Sequence, residues 1–149
     1  MKTRTKSFLI SVGLLLSGVA QLQASDRAET LLSIHWVENP SDSPRPGALG
    51  ELGAYQFRAD TWRMHTQRPF AEAIDRQASD EVAIRHYEWL KATLVRGGVE
   101  PSTYNIALAW NAGVNAVLKG RAPAIAHDYA TRVTNLATEM SAQHVVAMR

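Results

Sequence analysis

Residues 35–57, "HWVENPSDSPRPGALGELGAYQF", decide how the rest of the chain is read. Just upstream, Leu31, Ile34 and His35 recur at steps of three and four, the spacing of one helix face, and Glu38 falls on the same stripe. Asn39-Pro40 then stops the helix. Residues 39–54 hold three of the six Pro and three of the nine Gly, so they read as a loop or a series of turns, with "YQF" as a short extended piece at its end. A carboxyl that closes an apolar stripe has two readings. Sheltered from water, it keeps its proton toward neutral pH and suits general acid catalysis; turned outward at a frayed helix end, it is a solvated side chain. Periodicity alone leaves both open.

Outward from this stretch the period stays helical. "SDRAETLLSIHWVEN" predicts a helix of about three turns, with Ser25 or Asp26 as N-cap and Glu29 three residues after Asp26. "RADTWRMHT" predicts a short helix. "DRQASDEVAIRHYEWLKATLVRGG" predicts a long one that carries Val82, Arg85, His86, Trp89, Leu90 and Thr93 at steps of three and four and ends at Gly97-Gly98. Pro101 suits the first turn of "PSTYNIALAWNAG", which Gly113 can end and whose Ile106, Ala109 and Trp110 share one side. A short helix over "VNAVLKG" and a long one from about Pro123, burying Ala126, Tyr129, Val133 and Leu136 or their neighbours, complete the chain. The fold expected is mainly α, with one long irregular loop of the kind that usually serves function.

Composition bounds the rest. The 149 residues, 46% hydrophobic and 20% charged, suffice for one domain with a real core. Lys2, Arg4 and Lys6, then "FLISVGLLLSGVA" and small residues, read as a secretory signal. Cleavage after Ala20 or Ala24 is expected, and Ala24 is taken as the boundary because "SDRAET" then begins the folded part. The expected organisation is a signal peptide over 1–24, a domain over 25–149, a periplasmic or secreted location, and no stable membrane span. Removing residues 1–24 takes three of the 16 Lys and Arg and none of the acids, leaving 13 against 14. The pI of about 9.2 therefore reflects the leader, and no basic cluster supports nucleic-acid binding. With no Cys, packing alone must hold the fold, even in an oxidising compartment. His35, His65, His86, His127 and His144 show no spacing of a metal-binding pair, so no metal or other cofactor is expected.

"VEN" closing a helix, "GALGELGAYQF", and some fifty residues later "IALAWNAGVNAV" together resemble the soluble lytic transglycosylase and goose-type lysozyme group. The matching positions are Glu38, the Gly50–Gln56 turn, Trp110-Asn111-Ala112-Gly113, and Tyr129 on the last helix. The resemblance spans about residues 28–137. Each motif is weak alone; their common order makes the likeness specific. It implies a lysozyme-like helical domain whose partner is the glycan strand of peptidoglycan, acting as a monomer. Glu38 would protonate the glycosidic oxygen between N-acetylmuramic acid and N-acetylglucosamine, the substrate's N-acetyl group would assist at the anomeric carbon, and Glu38 would then activate the muramoyl 6-hydroxyl to leave a 1,6-anhydro end. Gln56, Asn111, Trp110 and Tyr129 would contact substrate or line its cleft.

The chain also departs from that pattern. Asn39 stands where Ser is usual after the acid, and Trp110 where Tyr is usual, which keeps an aromatic wall but removes a phenolic hydrogen bond; Tyr55 is a possible substitute. Glu51 raises a competing mechanism, because a second carboxylate in the cleft permits direct hydrolysis by water. Loss of turnover, leaving a wall-binding domain, is the third reading. Among the tryptophans, Trp36 and Trp89 are expected in the core, Trp62 and Trp110 at the cleft.

Overall fold

The computed structural model describes residues 26–147; the expected signal peptide and Ser25 lie outside the described residues. The architecture is mainly α, as the periodicity implies. In chain order the helices are α1 (residues 26–38), α2 (Ala59–His65), α3 (Arg76–Arg96), α4 (Thr103–Ala112), α5 (Val114–Leu118) and α6 (Ala124–Ala147), with a 3-10 helix at Phe70–Ile74. The sole pairing of extended backbone among the described residues is the antiparallel bridge Leu52–Phe57, at the "YQF" piece. No helix of the described residues is long and apolar enough to cross a membrane.

Local chemistry sets the boundaries. Asp75 caps α3 by accepting from the Ala78 N–H at 2.8 Å. Ser102 caps α4 through the Asn105 N–H at 3.3 Å, so Pro101 stands just outside the helix and not in its first turn. Gly113, at φ 82°, breaks the chain direction between α4 and α5, where a side chain would strain the backbone. The 3-10 helix was not expected from the sequence; its single buried residue is Ala73.

The core forms where small side chains let helices approach. The α4 stretch Ile106–Ala109 packs on α6 through Ala126, Ala130 and Val133, all essentially inaccessible, and α4 and α6 meet more extensively than any other two of the helices α2 to α6. Helix α1 is itself deeply placed. Thr30 and Ser33 are fully buried, but their hydroxyls are satisfied: Thr30 donates to the Asp26 carbonyl at 2.7 Å and meets Thr103 at 3.0 Å, and Ser33 donates to Met140 Sδ at 3.6 Å. The buried Glu29 accepts from Ser141. An acid at the end of such a helix is held by its neighbours on α4 and α6, not left to fray.

Candidate functional site

Glu38 is the last residue of α1, where the Asn39 N–H returns to the His35 carbonyl at 2.8 Å. Its carboxyl is partly buried and lines a cleft of about 380 Å³ with Glu51, Gln56, Trp110 and Asn111. Burial raises its pKa above the ordinary carboxylate value, and the charge of Glu51 adds to the rise; the Tyr129 hydroxyl and the Arg132 guanidinium pull the other way without cancelling it. Tyr129 of α6 is almost wholly buried beside that carboxyl, and its own pKa is pushed well up by burial and by Glu38. The phenol lies near enough to act on the acid's proton affinity, yet its hydroxyl makes no hydrogen bond of ordinary geometry. It is a donor poised at the carboxylate. The Arg132 guanidinium lies over the ring, 5.9 Å from its centroid.

The loop that follows is ordered by polar contacts. Asn39, 6% exposed, donates from Nδ2 to the carbonyls of Ser43 at 3.0 Å and Gly53 at 3.2 Å, and accepts the Ser43 N–H at 2.9 Å. The residue that replaces the expected Ser thus clamps the start of the loop to the turn that carries Gln56. That turn is closed by reciprocal Leu52–Phe57 backbone hydrogen bonds of 3.0 and 2.9 Å. Gln56 adopts a left-handed φ of 46° and anchors Nε2 on the Gly53 carbonyl at 3.0 Å, which leaves Oε1 for the cleft. A Cβ would meet neighbours at two points, against backbone at Gly53 and against movable side-chain ends at Gly47. A Cβ on Gly53 would lie 1.7 Å from the Ala73 carbonyl oxygen, and one on Gly47 would meet both Gln56 Oε1 and Glu51 Oε2 at 2.6 Å. A larger residue at Gly47 would push those two side-chain ends aside.

Glu51 accepts the Leu49 N–H at 2.9 Å, so its carboxylate is tied to the loop while facing the cleft. Trp110 and Asn111 reach the lining from the end of α4. Tyr55 stands apart. It is 3% exposed, its hydroxyl donates to Asp80 Oδ1 at 2.7 Å, and burial followed by that carboxylate raises its pKa. Its ring packs against Phe57 and Trp110 from behind the cleft, at 5.8 and 6.0 Å, and it is not among the lining residues. The phenol missing at position 110 is therefore not supplied by Tyr55.

Two tryptophan expectations are inverted. Trp62 is 0% exposed and donates Nε1 to the Arg68 carbonyl at 2.9 Å: it is the single buried residue of α2 and seats that short helix. Trp36 is 47% exposed, because the buried arc of α1 runs through Ser33 and Ile34. The residue missed by sequence reasoning is His86, which lines the cleft from α3 while 7% exposed. An imidazole four residues from Val82 and from Leu90, on the stripe that carries both, was the available signal. Among the described residues no group of three or more His, Asp or Glu is arranged to hold a metal ion. The chain matches no protein-family model, no curated protein and no solved structure.

Proposed function

We propose that the cleft binds peptidoglycan glycan strands outside the cytoplasmic membrane, and that Glu38 cleaves the β-1,4 bond between N-acetylmuramic acid and N-acetylglucosamine as a lytic transglycosylase. One observation carries this reading: a carboxyl whose proton is favoured by burial lines the same cleft as two amides, Gln56 and Asn111, and an aromatic ring, Trp110. The protonated Glu38 donates to the departing glycosidic oxygen, and positive charge grows at the sugar carbon. The substrate's acetamido oxygen assists there. The ionised Glu38, now stabilised by the Tyr129 hydroxyl and Arg132, takes the proton of the muramoyl 6-hydroxyl as that oxygen closes the 1,6-anhydro ring. One carboxyl thus serves in both steps, and the amides of Gln56 and Asn111 can each donate to and accept from sugar groups.

A second reading has its own support. Glu51 shares the cleft and acts electrostatically on Glu38, so a carboxylate is available to direct water and give hydrolysis. The deciding experiment incubates residues 25–149 with purified sacculi and weighs the released muropeptides by mass spectrometry, with Glu38→Gln as control. Anhydro ends that vanish in the variant support the transglycosylase, and reducing muramic ends support the hydrolase. Binding without release makes the chain a wall-binding domain, and neither binding nor release refutes the glycan reading.

A further inference from the structure

The His86 imidazole is gripped on several sides. It stacks on Trp89 at 5.7 Å and 14°, stands edge-on to Trp110 at 4.7 Å, and meets Phe57 at 6.4 Å. Its Nδ1 is committed to His65 Nε2 at 2.9 Å. The opposite nitrogen, Nε2, has no hydrogen-bond partner among the described residues, and it is not one of the sealed, orphaned polar atoms of the core. A side chain this buried, fixed in orientation, with one polar edge left open in a cleft wall, is built to meet something that enters the cleft.

The surroundings restrict what that is. Burial, with a smaller effect of His65, lowers the His86 pKa to about 3, and burial lowers that of His65 as well, so the pair is neutral in neutral solution. A neutral ring offers one hydrogen bond at Nε2 and no charge of its own, so its natural partner there is an uncharged hydrogen-bonding group such as a hydroxyl or an amide. Trp110 presents an aromatic surface beside it. An adjoining hollow of about 250 Å³, walled by Trp89, Met64 and Val114, shares Thr61, His86 and Trp110 with the cleft. The imidazole therefore stands in the wall that the two hollows share, beside any glycan strand that reaches from one to the other.

We propose that His86 Nε2 is a sugar-contacting group, hydrogen-bonded to a hydroxyl or acetamido group of an uncharged pyranose whose apolar face rests on Trp110. The assignment rests on the glycan reading of the cleft and adds the contact that neither Trp110 nor Tyr55 provides. Titration of the full domain with the β-1,4-linked N-acetylglucosamine tetramer tests it, by calorimetry and by imidazole nitrogen resonances, in the Glu38→Gln background so that nothing is turned over. Expected are a ligand-dependent shift of the His86 Nε2 resonance and binding about fivefold to tenfold weaker in His86→Phe, which keeps a ring between the tryptophans. His65→Ala, which removes only the Nδ1 partner, stays within about twofold of its parent. An Nε2 resonance unmoved at saturation, or His86→Phe binding as tightly as the parent, overturns the assignment even if that variant is less stable. A folded parent that fails to bind the tetramer at all overturns the glycan reading, and this contact with it.

Discussion

Asn39 is the residue through which stability and site geometry are most directly joined, and its replacement gives a sharp forecast. Its amide makes three hydrogen bonds while 6% exposed, two to Ser43 and one to Gly53. In Asn39→Ala the Gly53 carbonyl keeps the Gln56 N–H at 3.1 Å and Gln56 Nε2 at 3.0 Å, so it is not orphaned. The Ser43 N–H and carbonyl do lose their partner, but Ser43 is only partly buried and water can reach it. At roughly 1 kcal/mol for each of the two groups left to water, the loss is about 2 kcal/mol, which lowers the melting midpoint of a domain this size by about 8 °C. Asn39→Asp is predicted to be worse than Ala, because an ionised carboxylate would present an acceptor to two carbonyl oxygens that need a donor. Thermal melts followed by circular dichroism at neutral pH check both. If Asn39→Asp melts at the wild-type midpoint, or Asn39→Ala falls by less than about 2 °C, the clamp is not what holds the loop.

Two further expectations concern the acid itself. Glu38 has a folded pKa above its unfolded one, so across the window between them the native state holds a proton that the unfolded chain has released. Stability therefore falls as pH rises through that window and stays reduced above it. Glu38→Gln, which carries no charge, should be more stable than wild type in urea at neutral pH, with the difference disappearing below the ordinary carboxylate range near pH 4.5; a variant less stable at neutral pH contradicts the burial argument. Tyr129→Phe removes a hydroxyl that lowers the Glu38 pKa, so the alkaline limb of a pH–rate profile set by protonated Glu38 should move to higher pH. Because that hydroxyl makes no ordinary hydrogen bond, the melting midpoint should change by no more than about 4 °C; an unmoved limb separates Tyr129 from the acid's chemistry.

The helices were legible because a 3.6-residue period needs only local sequence, and the apolar stripes of α1, α3, α4 and α6 are long enough to show it. The cleft was legible in part for the same reason. Once α1 is known to end at Glu38 and α4 at Ala112, the acid and the Trp110-Asn111 pair are fixed to helix ends. What escaped depends on partners distant in the chain. Whether Trp36 or Trp62 is buried is decided by which face of each helix finds a neighbour, and both carry the same apolar signal. His86 took its place from Trp89, Trp110 and His65, the last 21 residues away. Tyr55 belonged by motif to the cleft side of its turn, yet the carboxylate of Asp80, 25 residues on, claims its hydroxyl and turns it inward.

The same long-range contacts explain how an irregular segment of nearly twenty residues can present groups to a cleft from both of its ends. His35 on α1 is buried, and its Nδ1 faces Arg76 Nη1 at 3.3 Å. A guanidinium can only donate, so Nδ1 accepts and the proton resides on Nε2, which donates to Asp42 Oδ1 at 2.8 Å. Asp42 follows Glu38 by four residues and holds a left-handed φ of 48° to make this contact. Arg76 continues to Asp80 at 2.9 and 3.1 Å, and Asp80 receives the Tyr55 hydroxyl one residue before Gln56. Two successive turns of α3 therefore fix the loop just after the acid and just before the amide. As separate surface pairs these ions would contribute little, but joined through a buried histidine and a buried phenol they set one position against the other. The separation of Glu38 from Gln56 is thus held twice, by the Asn39 clamp onto the Gly53 carbonyl and by this strut behind the cleft.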